Sequence, residues 1–146
     1  QDARRVWGGV DMSAQFKIAT AGAEAHPLVF ATLLKSYFHG SPWSKHVPRD
    51  VFFARHHAVV ERLLASSSLR VAHLEDDPAV ILGYALVAPP TLHYVYVKPS
   101  FRRFGIARAL LDDLARFRDY SHYTFALRDL DPHLTSLHYN PYRAFA

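Results

Sequence analysis

The sequence predicts an α/β (α+β) fold: one mixed, mostly antiparallel central sheet flanked by helices. Three observations lead there. Half of the 146 residues are apolar and 14% are aromatic, enough to bury a sizeable core and inconsistent with disorder. Apolar residues alternate in some stretches and recur at helical spacing in others. The resulting segments run strand, helix, helix, three strands, helix, strand, which is an antiparallel meander ahead of a strand-helix-strand crossover. A chain of this length suits one domain, assigned to 12–146. Residues 1–11, ahead of the sole methionine, Met12, read as a tag or disordered extension.

The first strand is QFKIA, from Gln15 to Ala19, where polar and apolar residues alternate. HPLVFATLLKSYFHG follows as a helix: Pro27 suits the first helical position, Leu28, Ala31, Leu34 and Phe38 keep helical spacing, and Gly40 stops it. SPWSKHVPRD is a loop interrupted by Pro42 and Pro48. Asp50 is the expected N-cap of the second helix, VFFARHHAVVERLLASSS, whose apolar stripe runs through Phe52, Val59, Val60, Leu63 and Leu64. SLRVAHL is a half-buried strand, and EDDP turns the chain into AVILGYALV. That run is apolar on both faces, as in a central strand, with Gly83 marking a bulge or a close backbone approach.

After APPT, LHYVYV resumes as strand. The third helix carries Ile106, Leu110 and Leu114 on one face, with Ala107, Leu111 and Phe117 beside them. HYTFAL reads as the last strand, and Pro132 and Pro141 break the remaining segment too often for an assignment.

The formal charge of +4 and the ten histidines favour an anionic partner, without separating nucleic acid from a membrane surface or a polyphosphate. The absence of cysteine excludes disulfides and thiolate chemistry. No stretch reaches the ~20 apolar residues that span a bilayer, so no membrane partner is expected and the expected location is the cytoplasm.

The chemistry concentrates in KPSFRRFGIARALLDDL, from Lys98 to Leu114. A helix opening after Arg102, Arg103, Phe104 and Gly105 offers unpaired backbone N–H groups and the positive end of its dipole. Gly105 admits a phosphate without a Cβ in its way, Ala107 keeps the next turn small, and Arg102, Arg103 and Arg108 add charge. By spacing alone the stretch serves equally as a solvated surface turn.

Its context resembles the GCN5-related N-acetyltransferase (GNAT) superfamily. That family's Arg/Gln-x-x-Gly-x-Gly/Ala motif stands here as Arg102-Arg103-Phe104-Gly105-Ile106-Ala107. LHYVYVKPSFRRFGIARALL looks like the family's strand, V-x-P turn, pyrophosphate loop and helix in unbroken order, and AVILGYALV resembles the strand before them. The resemblance implies a GNAT-like acyl-CoA fold with acetyl-CoA as acyl donor and an amine, on a small molecule or a protein, as acceptor. It also implies that the amides from Arg103 to Ala107, Phe104 and Ile106 included, hold the pyrophosphate, with Arg102 and Arg108 among the cofactor-binding residues. Tyr94, Val95, Tyr96 and Val97 would then pair through their backbone with the pantetheine arm.

Family members often carry a glutamate base on this strand, whereas here His93 stands near that place and no glutamate follows Glu75. His93 is the candidate base, with a packed strand histidine as the alternative. Tyr139 and Tyr142 are the candidate acids, or simply cap the sheet. The YNPY ending also resembles short acetyltransferase-like proteins of bacteriophages. Trp43, His46 and His56 occupy the region where the family builds its acceptor pocket, and His57, adjacent to His56, cannot share its helix face. No His-x-x-x-His spacing is present, and no metal is expected.

The resulting expectation is an N-acetyltransferase in which an amine attacks the thioester directly in a ternary complex. The alternative is a non-catalytic acyl-CoA-binding or protein-interaction module on the same fold. Nucleic-acid binding is disfavoured, because the aromatics sit mainly at core strand positions rather than among the arginines. A homodimer is left open.

Overall fold

Short polar turns and period-two patterning fold the middle of the chain into a meander. The computed structural model describes residues 6–7, 10–11, 15–102, 105–114, 120–128 and 134–145. A two-stranded antiparallel pair, β1 (Val6–Trp7) and β2 (Val10–Asp11), precedes the main sheet. That sheet has six strands in chain order: β3 (Phe16–Ala21), β4 (Ser68–Leu74), β5 (Asp77–Ala88), β6 (Thr91–Val97), β7 (His122–Tyr123) and β8 (His138–Tyr139). The first four are antiparallel, while β7 pairs parallel to β6 and β8 parallel to β7, so the sheet is mixed.

Helices α1 (His26–Gly40) and α2 (Arg49–Ser66) cover one face of the sheet, and α3 (Ile106–Leu114) covers the other. Alternation along the strands divides the apolar side chains between two cores. Tyr84, Leu86 and Tyr94 meet Val29 and Leu33 of α1 and Phe52 and Val60 of α2. Leu82, Ala85, Val95 and Val97 meet Ile106 and Leu110 of α3.

Three expectations need correcting. Helix α2 starts at Arg49 with Pro48 in the cap position, so Asp50 lies in the first turn, where its charge faces the positive end of the helix dipole instead of capping a donor. HYTFAL pairs only through His122 and Tyr123, because the chain then swings to α1, where the Arg128 N–H donates to the Gly40 carbonyl at 3.2 Å. The unassigned end contributes β8 and a 3-10 helix at Pro141–Phe145. Phe117 lies outside the described residues.

Gly83 marks a close approach: a Cβ there would stand 2.6 Å from the Tyr96 carbonyl oxygen. Gly83 also stands beside a bulge on β5, where Ala72 faces Gly83 and His73 faces Ile81, which leaves Leu82 as the extra residue. A second bulge lies on β6. Leu86 faces Tyr94 and Val87 faces Leu92, which leaves His93 as the extra residue.

Candidate active site

Strands β6 and β7 run together only at their starts, with Thr91 opposite His122 and Leu92 opposite Tyr123. Beyond the Thr124 N–H, which donates to the Leu92 carbonyl at 3.2 Å, the two diverge. Arg128 holds the departing chain against the end of α1, its Nη2 donating to the His39 carbonyl at 2.7 Å. Among the described residues, the rest of β6 therefore has a strand partner on one side only.

The ladder to β5 fixes which backbone groups face the open side. Tyr96 pairs with Tyr84, Val97 with Gly83, and the Lys98 N–H donates to the Leu82 carbonyl at 2.9 Å. Alternate residues of an antiparallel strand point to opposite edges. With Lys98 turned to β5, Val95 and Val97 present their N–H and C=O groups to the open edge. One of those four, the Val97 carbonyl, accepts a hydrogen bond from Arg102 Nε at 2.9 Å.

The divergence opens a cavity of about 710 Å³. Tyr94 to Val97 form one wall, Gly105 to Arg108 the floor at the start of α3, and Ser36, His39, Gly40, Leu127 and Arg128 the far side. Gly105 has φ of 81°, a conformation open to glycine and costly for other residues, and the space where a Cβ would sit is empty to 4 Å. The Ala109 N–H closes the first turn on the Gly105 carbonyl at 3.0 Å, so among the described residues the N–H groups of Ile106, Ala107 and Arg108 have no intrahelical partner. Arg102, Arg108 and Arg128 line the cavity, and no carboxylate does among the described residues. The electrostatics select an anion. Arg103 and Phe104 lie outside the described residues.

His93 is buried at the bulge, and its Nδ1 shares a 2.8 Å hydrogen bond with Thr124 Oγ1. Burial pulls its pKa down to about 4. An imidazole that basic only at strong acidity, and absent from the cavity lining, is poorly suited to taking a proton from an amine. Tyr139 and Tyr142 stand away from the cavity as well. Tyr139 packs beside Tyr123 at 5.3 Å, and Tyr142 is 80% exposed. Both belong to the opposite end of β6, where Arg143 Nη1 donates to Thr91 Oγ1 at 3.1 Å.

Trp43 and His56 come together in an aromatic cluster. Trp43 Nε1 donates to the Tyr37 hydroxyl at 2.9 Å, and His56 stacks on Phe52 with ring centres 4.3 Å apart. Tyr37 and Phe125 link both to Tyr94, at 6.2 and 5.7 Å, so the cluster backs onto the cavity wall. Burial lowers the His56 pKa. His57 instead stacks on Phe30 at 4.5 Å, and His46 is exposed on the short helix Ser44–His46.

Sequence reasoning missed the pairing of Ser36 and Tyr94, whose hydroxyls share a 2.6 Å hydrogen bond. Burial raises the Tyr94 pKa, so its phenol keeps its proton. It also missed the engagement of Arg102 with Val97, for which the turn at Pro99–Phe101 is the one signal in the sequence.

The sequence model of the Acetyltransferase (GNAT) family matches residues 29–132 of the chain. No curated protein matches it. Among solved structures, a candidate acetyl transferase of Pyrococcus furiosus superposes with a TM-score of 0.59 at 17% identity, covering 78% of this chain and 83% of that one. A GNAT-family structure from Xanthomonas campestris gives 0.51 at 17% identity, covering 81% and 79%. A GCN5-related N-acetyltransferase from Rhodopseudomonas palustris gives 0.52 at 16% identity, covering 69% and 64%. These likenesses are of fold. The resemblance of the chain's ending to bacteriophage proteins finds no support in them.

Proposed function

Because the chain belongs to the acetyltransferase (GNAT) family, we propose that it is an acetyl-CoA-dependent N-acetyltransferase whose cavity between β6 and β7 holds the acyl donor. One observation carries this reading. A single cavity joins an open strand edge, fit to pair with an amide-bearing arm, to a glycine-opened helix start ringed by arginines, fit for phosphates.

The donor supplies a thioester carbonyl. An amine of the acceptor attacks it directly in a ternary complex, forming the N–C bond as the C–S bond breaks; the nitrogen gives up one proton and the departing thiolate takes one up, so that amide and free thiol leave. Open backbone groups of Val95 and Val97 orient the arm beside the carbonyl. Tyr94, protonated, buried and paired with Ser36 in the cavity wall, is the hydroxyl assigned to the departing thiolate, as a hydrogen-bond donor that keeps its own proton. His93 holds the bulge to Thr124 instead of acting as base. Tyr139 and Tyr142 have no part in this reading. Trp43 and His56, neighbours at 5.6 Å in the cluster behind Tyr94, are the residues assigned to the acceptor side.

Release of free CoA thiol, followed with acetyl-CoA and a panel of small amines and peptides, tests the proposal. The expected result is amine-dependent release matched by an acetylated product, with kcat reduced by about tenfold or more in Tyr94→Phe. Saturable acetyl-CoA binding without release for any amine would instead identify a non-catalytic acyl-CoA-binding module.

A further inference from the structure

Two tyrosine hydroxyls reach α1 from the sheet, and they are held differently. Thr32 Oγ1 meets the Tyr84 hydroxyl at 2.8 Å, and about one turn later Ser36 Oγ meets the Tyr94 hydroxyl at 2.6 Å. Both tyrosines are buried. Each α1 hydroxyl has one proton to give and two acceptors within reach, its tyrosine oxygen and a carbonyl of its own helix. Thr32 donates to the Leu28 carbonyl at 2.7 Å, so the proton between Thr32 and Tyr84 comes from Tyr84. The matching bond from Ser36 to the Leu33 carbonyl is 3.3 Å long, beyond the roughly 2.5–3.0 Å of a good O–H···O bond. Ser36 is therefore able to turn its proton onto Tyr94. Of these four residues, Ser36 and Tyr94 line the cavity.

We propose that Ser36 is a positioning residue whose hydroxyl aims the Tyr94 proton, an inference that rests on the acetyl-CoA reading of the cavity. In one setting Ser36 donates to Leu33 and Tyr94 donates to Ser36, so both protons are spent inside the wall. In the other, Ser36 donates to the Tyr94 oxygen and the Tyr94 proton turns into the cavity. The first setting satisfies both hydroxyls when no ligand charge faces them, and the charge developing on the departing sulfur draws out the second.

Exchanging the settings rotates two O–H bonds and takes no proton from either oxygen. That suits a phenol whose pKa burial holds high. The hydrogen bond received from Ser36 also polarises the phenol and makes it a stronger donor. What is given up is the long bond to Leu33, so the exchange costs little. The same exchange at Thr32 would break a 2.7 Å bond, which keeps Tyr84 fixed.

The test is the kinetics of amine-dependent CoA release in Ser36→Ala, Tyr94→Phe, the double variant and Thr32→Val. Ser36→Ala should lower kcat about fivefold and leave the KM for acetyl-CoA within about twofold, the scale of one neutral hydrogen bond made in the transition state. In the Tyr94→Phe background the same change should lower kcat no further, because Ser36 acts through that hydroxyl. Thr32→Val removes the matching tether and should lower the melting temperature while kcat stays within about twofold of the wild type. An unchanged kcat in Ser36→Ala, additive losses in the double variant, or an equal loss of kcat in Thr32→Val overturns the proposal; the last two would mark a general tether between α1 and the sheet. A wild type that releases no CoA with any amine overturns the acetyltransferase reading and the Ser36 claim with it. Wild-type turnover with any of those other outcomes overturns the Ser36 claim alone.

Discussion

At neutral pH the imidazole of His93 carries no charge, because burial holds its pKa at about 4 while an unfolded histidine titrates near 6.5. Between those values the unfolded chain binds a proton that the folded chain refuses. The stability contributed by this site is thus fully present above about pH 6.5 and is withdrawn as the pH falls toward 4, by up to roughly 3 kcal/mol. His56, lowered by its own burial, adds to the trend in the same direction. Thermal melts between pH 7.5 and 4.5 should show the wild type losing stability more steeply than His93→Asn, which removes the titration. Parallel curves would mean that His93 does not titrate in this way.

At the scale of elements, the start of α3 is where local conformation and binding coincide. Gly105 takes φ of 81° with nothing near its missing Cβ, so an alanine would suffer from backbone geometry alone and from no clash. Gly105→Ala is expected to cost about 1 kcal/mol in denaturant unfolding, together with weaker acetyl-CoA binding. An alanine that stabilised the protein, as it does at an ordinary helical position, would contradict the left-handed geometry. The strands show why some elements were readable and others were not. SLRVAHL and HPLVFATLLKSYFHG declare their bounds by local pattern and match β4 and α1 residue for residue. HYTFAL has a strand's composition, yet only two of its residues pair, because Arg128 and Gly40 draw the chain away. No local pattern encodes that pull.

For the whole molecule, the same contrast separates the binding half of the site from its chemistry. The loop around Gly105 and the edge of β6 lie within about twenty consecutive residues, so a contiguous motif exposed them. The bulge that buries His93 depends on how β5 and β6 register, and the Ser36–Tyr94 pair joins residues 58 positions apart, so neither was accessible to a reading along the chain. Tyr139 and Tyr142 are phenols near the end of the sequence, but the parallel pairing of β8 carries them to the far end of β6. The central claim is that one cavity receives acetyl-CoA along β6 with its phosphates at the start of α3. Amide NMR of the isotope-labelled protein titrated with acetyl-CoA tests it most directly. The account predicts saturable shifts that are largest at Val95, Val97, Gly105, Ile106 and Ala107; saturation with those amides unmoved would contradict it.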